Sequence, residues 1–317
     1  MRILITGVTG FAGGHLAEYL YQNSRGELHG LCRQATWPES LAHLEDKVRL
    51  HPGDLTDATA VASQIQTIVP AQIYHLAGYA HAGQSFRDAD AAWNGNLLAT
   101  RRLYDVIEAW GGKCRILFVG SGLVYGHPDR ENHAHDENCQ LLPTNPYASS
   151  KSAADLMSYQ YTRFPGLDIV RARPFNHIGP RQSPQFAVAH FAKQIAAIER
   201  GEQAPVLETG NLSAMRDFTD VRDVVRAYML LMERGESGEV YNIATGVAHS
   251  MQEVVDRLLE LARCPIKVSP QPRLMRAAEM ATVRGDSSKL RAQTEWAPAY
   301  SFEQTLQDTL SAWRQRP

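Results

Sequence analysis

The chain has 317 residues, enough for two lobes or for one large α/β domain with an appended lobe. With 44% apolar and 21% charged residues it can fill a core, which excludes a disordered chain. The formal net charge is −2 and Lys and Arg form no run, which argues against nucleic acid or an anionic membrane surface as the main partner.

Residues 2–6 form a short apolar run that ends in a glycine-rich turn at 7–14, and a helical pattern follows from about His15 to Gln22. Strands are predicted at 27–32 and from Val48 to His51. A helix is predicted over 56–68, a strand from Gln72 to Leu76, a helix over 91–110 and a strand from Arg115 to Val119. This βαβα order with short buried strands predicts an α/β fold, a doubly wound parallel sheet of Rossmann-like type. Past residue 174, Pro and Gly become frequent, and helices at roughly 186–200 and 251–262 are separated by irregular stretches. We therefore expect a dinucleotide-binding domain over 1–174 and a smaller substrate lobe over 175–317. Residues 239–243 read as a strand returning to the main sheet, so the first domain is expected to receive about 215–245 as well.

Four cysteines, Cys32, Cys114, Cys139 and Cys264, stand at long irregular gaps without a C-x-x-C pair. That spacing suits neither a disulfide framework nor a zinc site and fits a reducing compartment. His133 and His135 sit in a polar loop without metal-ligand spacing, so no metal is expected. The chain opens directly on its first strand, with no signal-peptide pattern, and no apolar run reaches bilayer length. The expectation is a cytoplasmic protein with no membrane partner.

Gly7, Gly10 and Gly13 follow the first strand at three-residue spacing and open a helix. Glycine lets the backbone turn tightly and approach a pyrophosphate, and the helix then points free N–H groups at the phosphates. An ordinary strand–helix loop is the plainer alternative. At the end of the second strand an acid would bind the ribose of NAD, whereas this chain has Cys32 and Arg33, and Arg suits the extra phosphate of NADP. NADP (as NADPH) is therefore favoured, with NAD the alternative. Asp54 and Leu55, after the third strand, are expected beside the adenine. Leu76, Ala77 and Gly78, after the fourth, would let the backbone approach the cofactor.

Tyr147 and Lys151 are four apart, on one face of a predicted helix. Lys151 is expected to hold positive charge near the phenol and lower its pKa, so that Tyr147 trades a proton with an oxygen as hydride moves. Ser121, at the end of the strand 115–119, is placed to hydrogen-bond the same oxygen. Alone, Y-x-x-x-K also describes a surface helix pair; in combination with the glycine turn and the strand-end serine it means more.

With these motifs in this order the chain resembles the extended short-chain dehydrogenase/reductase family over essentially its full length. The resemblance rests on Thr6-Gly7-Val8-Thr9-Gly10-Phe11-Ala12-Gly13, His75-Leu76-Ala77-Gly78, Ser121 with Val124-Tyr125-Gly126, and Asn145-Pro146-Tyr147 through Lys151. It implies Ser121, Tyr147 and Lys151 as the catalytic set. It adds Thr9, Phe11, Ala12, Pro174 and His177 to the cofactor site, and it implies a homodimer built through the helices near 96–110 and 150–164.

Arg173-Pro174-Phe175-Asn176-His177-Ile178-Gly179-Pro180 and Met215-Arg216-Asp217-Phe218-Thr219-Asp220-Val221 resemble the branch of that family acting on GDP-mannose derivatives. That resemblance implies Ser85, Asn176, Arg216, Arg276 and Glu279 as contacts to a GDP-linked sugar. Arg suits a pyrophosphate, and Glu can accept from ribose hydroxyls. The branch contains 4,6-dehydratases, which resemble each other in a carboxylate just after the strand-end hydroxyl residue, and 4-keto reductases. Here Gly122 and Leu123 follow Ser121, and neither carries a proton. The reading is therefore NADPH-dependent reduction of the C4 keto group of a GDP-4-keto-6-deoxyhexose to GDP-D-rhamnose or a close stereoisomer. A nucleotide-sugar 4-epimerase with bound NAD(P) would use the same three residues, and a non-catalytic NADP-binding regulator would not need them.

Overall fold

A computed structural model describes residues 1–24, 26–127, 133–275 and 280–316. Seven strands build one sheet: β1 (Arg2–Thr6), β2 (Glu27–Cys32), β3 (Arg49–Pro52), β4 (Gln72–His75), β5 (Arg115–Val119), β6 (Asp168–Pro174) and β10 (Val240–Ile243). Their spatial order is β10-β6-β5-β4-β1-β2-β3, and each neighbouring pair is parallel. The strands read as continuous apolar runs because both faces are covered. The order reverses beside β1, which opens a crevice above the strand ends where ligands of such sheets bind.

One face carries α1 (Phe11–Asn23) and α7 (Val221–Arg234), which close a core with Ile3, Ile5, Leu117, Val170 and Tyr228. The other face carries α2 (Ala58–Ile68), α4 (Ala99–Trp110) and α5 (Pro146–Arg163), packed through Leu103, Ile107, Ile116 and Phe118. A short helix α3 (Ala89–Trp93) runs into α4 through one π turn at Asn94–Leu98. The helix predicted over 91–110 is thus one interrupted rod. The helix expected from His15 begins earlier, at Phe11, because the glycines of the turn enter its first winding.

The remaining elements form a second core. A small sheet is built on β9 (Met215–Asp220), which pairs with β7 (Asn176–Ile178), β11 (Ala248–Ser250) and β13 (Thr282–Val283). A second, two-stranded piece joins β8 (Val206–Thr209) to β12 (Lys267–Pro270). Helices α6 (Ala187–Glu199), α8 (Met251–Glu260) and α10 (Phe302–Arg314) pack through Phe191, Ile195, Leu258 and Leu306. Helix α9 (Ser288–Thr294) follows β13 and packs against α7 and β10. Strand β9 leads directly into α7 under the main sheet, so the chain passes from the second core back to the first.

Candidate active site

The glycine turn lies between the end of β1 and α1. Gly7 has a φ of 72°, a left-handed value that favours glycine, and a Cβ there would lie 2.9 Å from the Ala77 nitrogen. A Cβ on Gly13 would lie 2.1 Å from the Gly7 carbonyl oxygen. These two positions let β1, α1 and the end of β4 close on one another. No side chain caps α1. Its first-turn amides and positive dipole end therefore suit the pyrophosphate of a dinucleotide. Around it, Thr6 Oγ1 accepts from the Ala77 amide (3.1 Å) and lies 2.8 Å from His75 Nδ1, while His75 Nε2 lies 2.9 Å from Thr100 Oγ1. Buried in this chain of partners, His75 is held neutral, its pKa lowered to about 3 by desolvation.

Phe11 stacks parallel to His177 at 5.9 Å and meets His15 edge-on at 5.6 Å. His177 follows Pro174 on β7, so the predicted cofactor residues at the two ends of the chain segment come together here. At the far edge, Arg33 is exposed at the end of β2, and Leu55 is buried. Asp54 accepts from the Thr56 amide at 2.8 Å, and this bond, with the charges of Arg33 and Arg102, lowers its pKa. Arg102, which bonds the Thr56 carbonyl, escaped the sequence reading because it lies on α4, remote in sequence from the β2 and β3 ends.

At the end of β5, Ser121 and Tyr147 come together, and interaction with the serine side chain holds down the pKa of the phenol. Tyr147 lies in the first turn of α5, where every early donor is accounted for. Pro146 has no N–H, Tyr147 donates its amide to Ser85 Oγ (3.1 Å), and Ala148 donates to Asn145 Oδ1 (2.9 Å). Ser85 also donates to the Ala82 carbonyl (2.7 Å) and is fully buried. Ser85, which the resemblance implies beside the sugar, thus spends its proton and one lone pair inside the protein and braces α5.

Lys151 is buried and donates to the Val119 carbonyl at 2.9 Å, with its pKa lowered to about 8 by desolvation against the opposing charge of Asp155. The expected lowering of the Tyr147 phenol by Lys151 is not what the structure holds. Burial raises that phenol, the Ser121 hydrogen bond opposes the rise, and the ammonium is engaged by Val119 instead. Asn96, in the π turn, was missed: it accepts from the Tyr79 amide and donates to Ser150 Oγ, both at 2.9 Å, and Ser150 in turn donates to the Tyr147 carbonyl. An interrupted helix beside a functional site was its only signal, and the sequence pattern does not show a π turn.

The turn after Ser121 holds Gly122 and Leu123. A Cβ on Gly122 would meet the Phe175 ring at 2.7 Å, so no acidic side chain fits there while that ring stays in place. In the second core, Asn176 and His177 pair with Phe218 and Thr219 of β9. Arg216 Nη1 donates to the Met215 and Met280 carbonyls at 2.7 and 2.8 Å. Arg276 and Glu279 lie outside the described residues.

A sheet with a dinucleotide turn at its switch point, and a Ser–Tyr–Lys set at the end of β5, define an oxidoreductase of the extended short-chain type. The family model described as GDP-mannose 4,6 dehydratase matches residues 4–309, and the chain belongs to that family. The GDP-6-deoxy-D-mannose reductase of Pseudomonas aeruginosa is 35% identical over 99% of this chain and 98% of its own. Human GDP-mannose 4,6 dehydratase is 27% identical over 98% and 90%. Among solved structures, RMD from Pseudomonas aeruginosa complexed with NADPH superposes with a TM-score of 0.86 at 33% identity over 100% of both chains. Thermus thermophilus UDP-glucose 4-epimerase with NAD gives 0.88 at 28% identity over 99% of both.

Proposed function

We propose that this protein reduces the C4 keto group of a GDP-4-keto-6-deoxyhexose with NADPH, giving GDP-D-rhamnose or a close stereoisomer. The observation that carries this reading is the turn after β5. There Ser121 meets Tyr147, while Gly122 and Leu123 provide no acid or base for eliminating water. The similarity to a GDP-6-deoxy-D-mannose reductase and to a structure holding NADPH supports it.

The glycine turn, Thr9, Phe11, Ala12, Leu76, Ala77, Pro174 and His177 would hold the dinucleotide, with Asp54 and Leu55 at the adenine and Arg33 beside Arg102 at the 2′-phosphate. Bound there, NADPH would supply the hydride for that reduction. Ser121 holds O4 in place, and Tyr147 gives O4 its phenolic proton. Lys151, held on the Val119 carbonyl, is proposed as the third member of the catalytic set. Asn176, Arg216, Arg276 and Glu279 are proposed to hold the GDP-sugar, within a lobe formed mainly by 175–317; residues 1–174, with about 215–245, are proposed as the dinucleotide domain. We also propose a cytoplasmic homodimer; the four free cysteines fit a reducing compartment.

The test is to mix the protein with NADPH and GDP-4-keto-6-deoxy-D-mannose and follow reduced-nicotinamide absorbance. Turnover that falls at least about a hundredfold in Tyr147→Phe is expected, the size of a lost general acid. Bound NADPH with no consumption would sink the substrate assignment and favour an epimerase.

A further inference from the structure

Arg181 holds an uncommon backbone conformation. Among the described residues, Val69, Arg181 and Glu295 are those other than glycine with a left-handed φ. Val69 and Glu295 end the helices α2 and α9, where that conformation is an ordinary way to stop. Arg181, at a φ of 71°, ends no helix and lies in the turn between β7 and α6. A residue with a side chain is strained there and stays only where its surroundings over-determine it, so the partners of this side chain carry information.

Its terminal nitrogens bond α1. Nη1 and Nη2 donate to the two carboxylate oxygens of Glu18 at 2.7 and 2.6 Å, a bidentate pairing whose side chains are only 22% and 24% exposed. Nη2 also lies 3.1 Å from His15 Nδ1. Arginine has no acceptor, so Nδ1 accepts, and His15 Nε2 donates to the Pro180 carbonyl at 2.9 Å. His43 Nε2 adds a contact to Glu18 at 2.6 Å. Phe11, His15 and Glu18 are four and three apart and so share one face of α1. Along that face His15 meets Phe11 edge-on, and Phe11 stacks on His177. From the other side Gln182, next to Arg181, donates from Nε2 to the His177 carbonyl at 2.9 Å. The ion pair thus closes a ring of contacts that runs through the Phe11–His177 stack, between segments 163 residues apart.

We propose that Arg181 and Glu18 are positioning residues for the dinucleotide: their ion pair sets the Phe11–His177 stack, and with it the slot between the glycine turn and β7 that takes the nicotinamide half. This rests on the reading of the site as a nicotinamide dinucleotide site. Neither residue needs to touch the ligand, since each acts through the two rings.

The test titrates NADPH and 2′,5′-ADP, which carries the adenosine half without nicotinamide, into the wild type, Arg181→Gly, Glu18→Gln and the double variant. Glycine adopts the left-handed φ freely, so Arg181→Gly removes the side chain and the strain together, and Glu18→Gln keeps the shape of the acceptor. Each single variant should bind NADPH about five- to tenfold more weakly, a typical coupling within one hydrogen-bonded network. The double variant should bind it no more weakly than the worse single one, because the two residues act as a unit. Binding of 2′,5′-ADP should stay within about twofold throughout. Unchanged NADPH binding in either single variant, beside a wild type that binds normally, would overturn this assignment alone. Additive losses in the double variant would overturn it by showing that the residues act separately, and equal weakening of both ligands by showing general damage to the fold. Failure of the wild type to bind NADPH would overturn it together with the cofactor reading.

Discussion

Tyr147 reaches the end of β5 because the groups around it leave the first turn of α5 one arrangement. Asn145 and Ser85 take its early amides, and Ser150 holds its carbonyl. Replacing Ser85 with Ala leaves the Tyr147 amide without its acceptor. The expected cost is about 1–2 kcal/mol of stability, as for loss of a helix cap, read from urea denaturation. Because the phenol is positioned through this amide, kcat should fall several-fold while KM for the sugar stays within about twofold. A Ser85→Ala variant with raised KM and intact kcat would instead support the sugar-contact role that the family resemblance implies. Lys151 illustrates the same point: its spacing from Tyr147 was plain in the sequence, but the carbonyl of Val119 decides where its charge sits.

Helix α5 serves two surfaces at once. Its inner face buries Ala148, Ser152, Ala154 and Asp155, and the last of these pairs with Arg171 and Arg173 of β6. Its outer face leaves Leu156 57% and Tyr159 44% exposed, three apart and so on one side, with Leu98 39% exposed at the head of the neighbouring α4. Apolar side chains grouped on two adjacent helices are the expected footprint of a partner surface, which fits the homodimer proposed above. If the proposed dimer forms, Leu156→Glu should convert it to a monomer in analytical ultracentrifugation at micromolar concentration, with the circular dichroism spectrum unchanged. A wild type that sediments as a monomer would remove the dimer reading.

For the whole molecule, acid sensitivity follows from its buried histidines. Burial lowers His15 to about 4 and His75 to about 3, and it also lowers His29 and His51, whose rings bond across β2 and β3 at 2.9 Å. The unfolded chain takes up these protons near the ordinary pKa of about 6.5, while the native state refuses them until much lower pH. The unfolded state therefore binds more protons as pH falls, so the stabilisation is complete above about 6.5 and drains away toward pH 4 and below. The urea midpoint should drop steadily from pH 6.5 to 4. His75→Asn should flatten that slope, and a midpoint that is flat over the window would show that these rings titrate normally.

The sequence by itself determined the parallel sheet, the glycine turn, the Ser–Tyr–Lys set and the family, because these depend on local spacing: apolar runs long enough for one strand, three glycines at one turn, two side chains on one helical face. It also showed the missing carboxylate after Ser121, since a residue type needs no coordinates. The tertiary structure decided what depends on contacts between remote segments: Ser85 bracing α5, Asn96 in its π turn, Arg102 on the loop after β3, and Lys151 bonded to Val119. Hydrogen bonds and desolvation act through space, over separations in sequence that no local pattern records, and they set where each donor points and which proton it keeps.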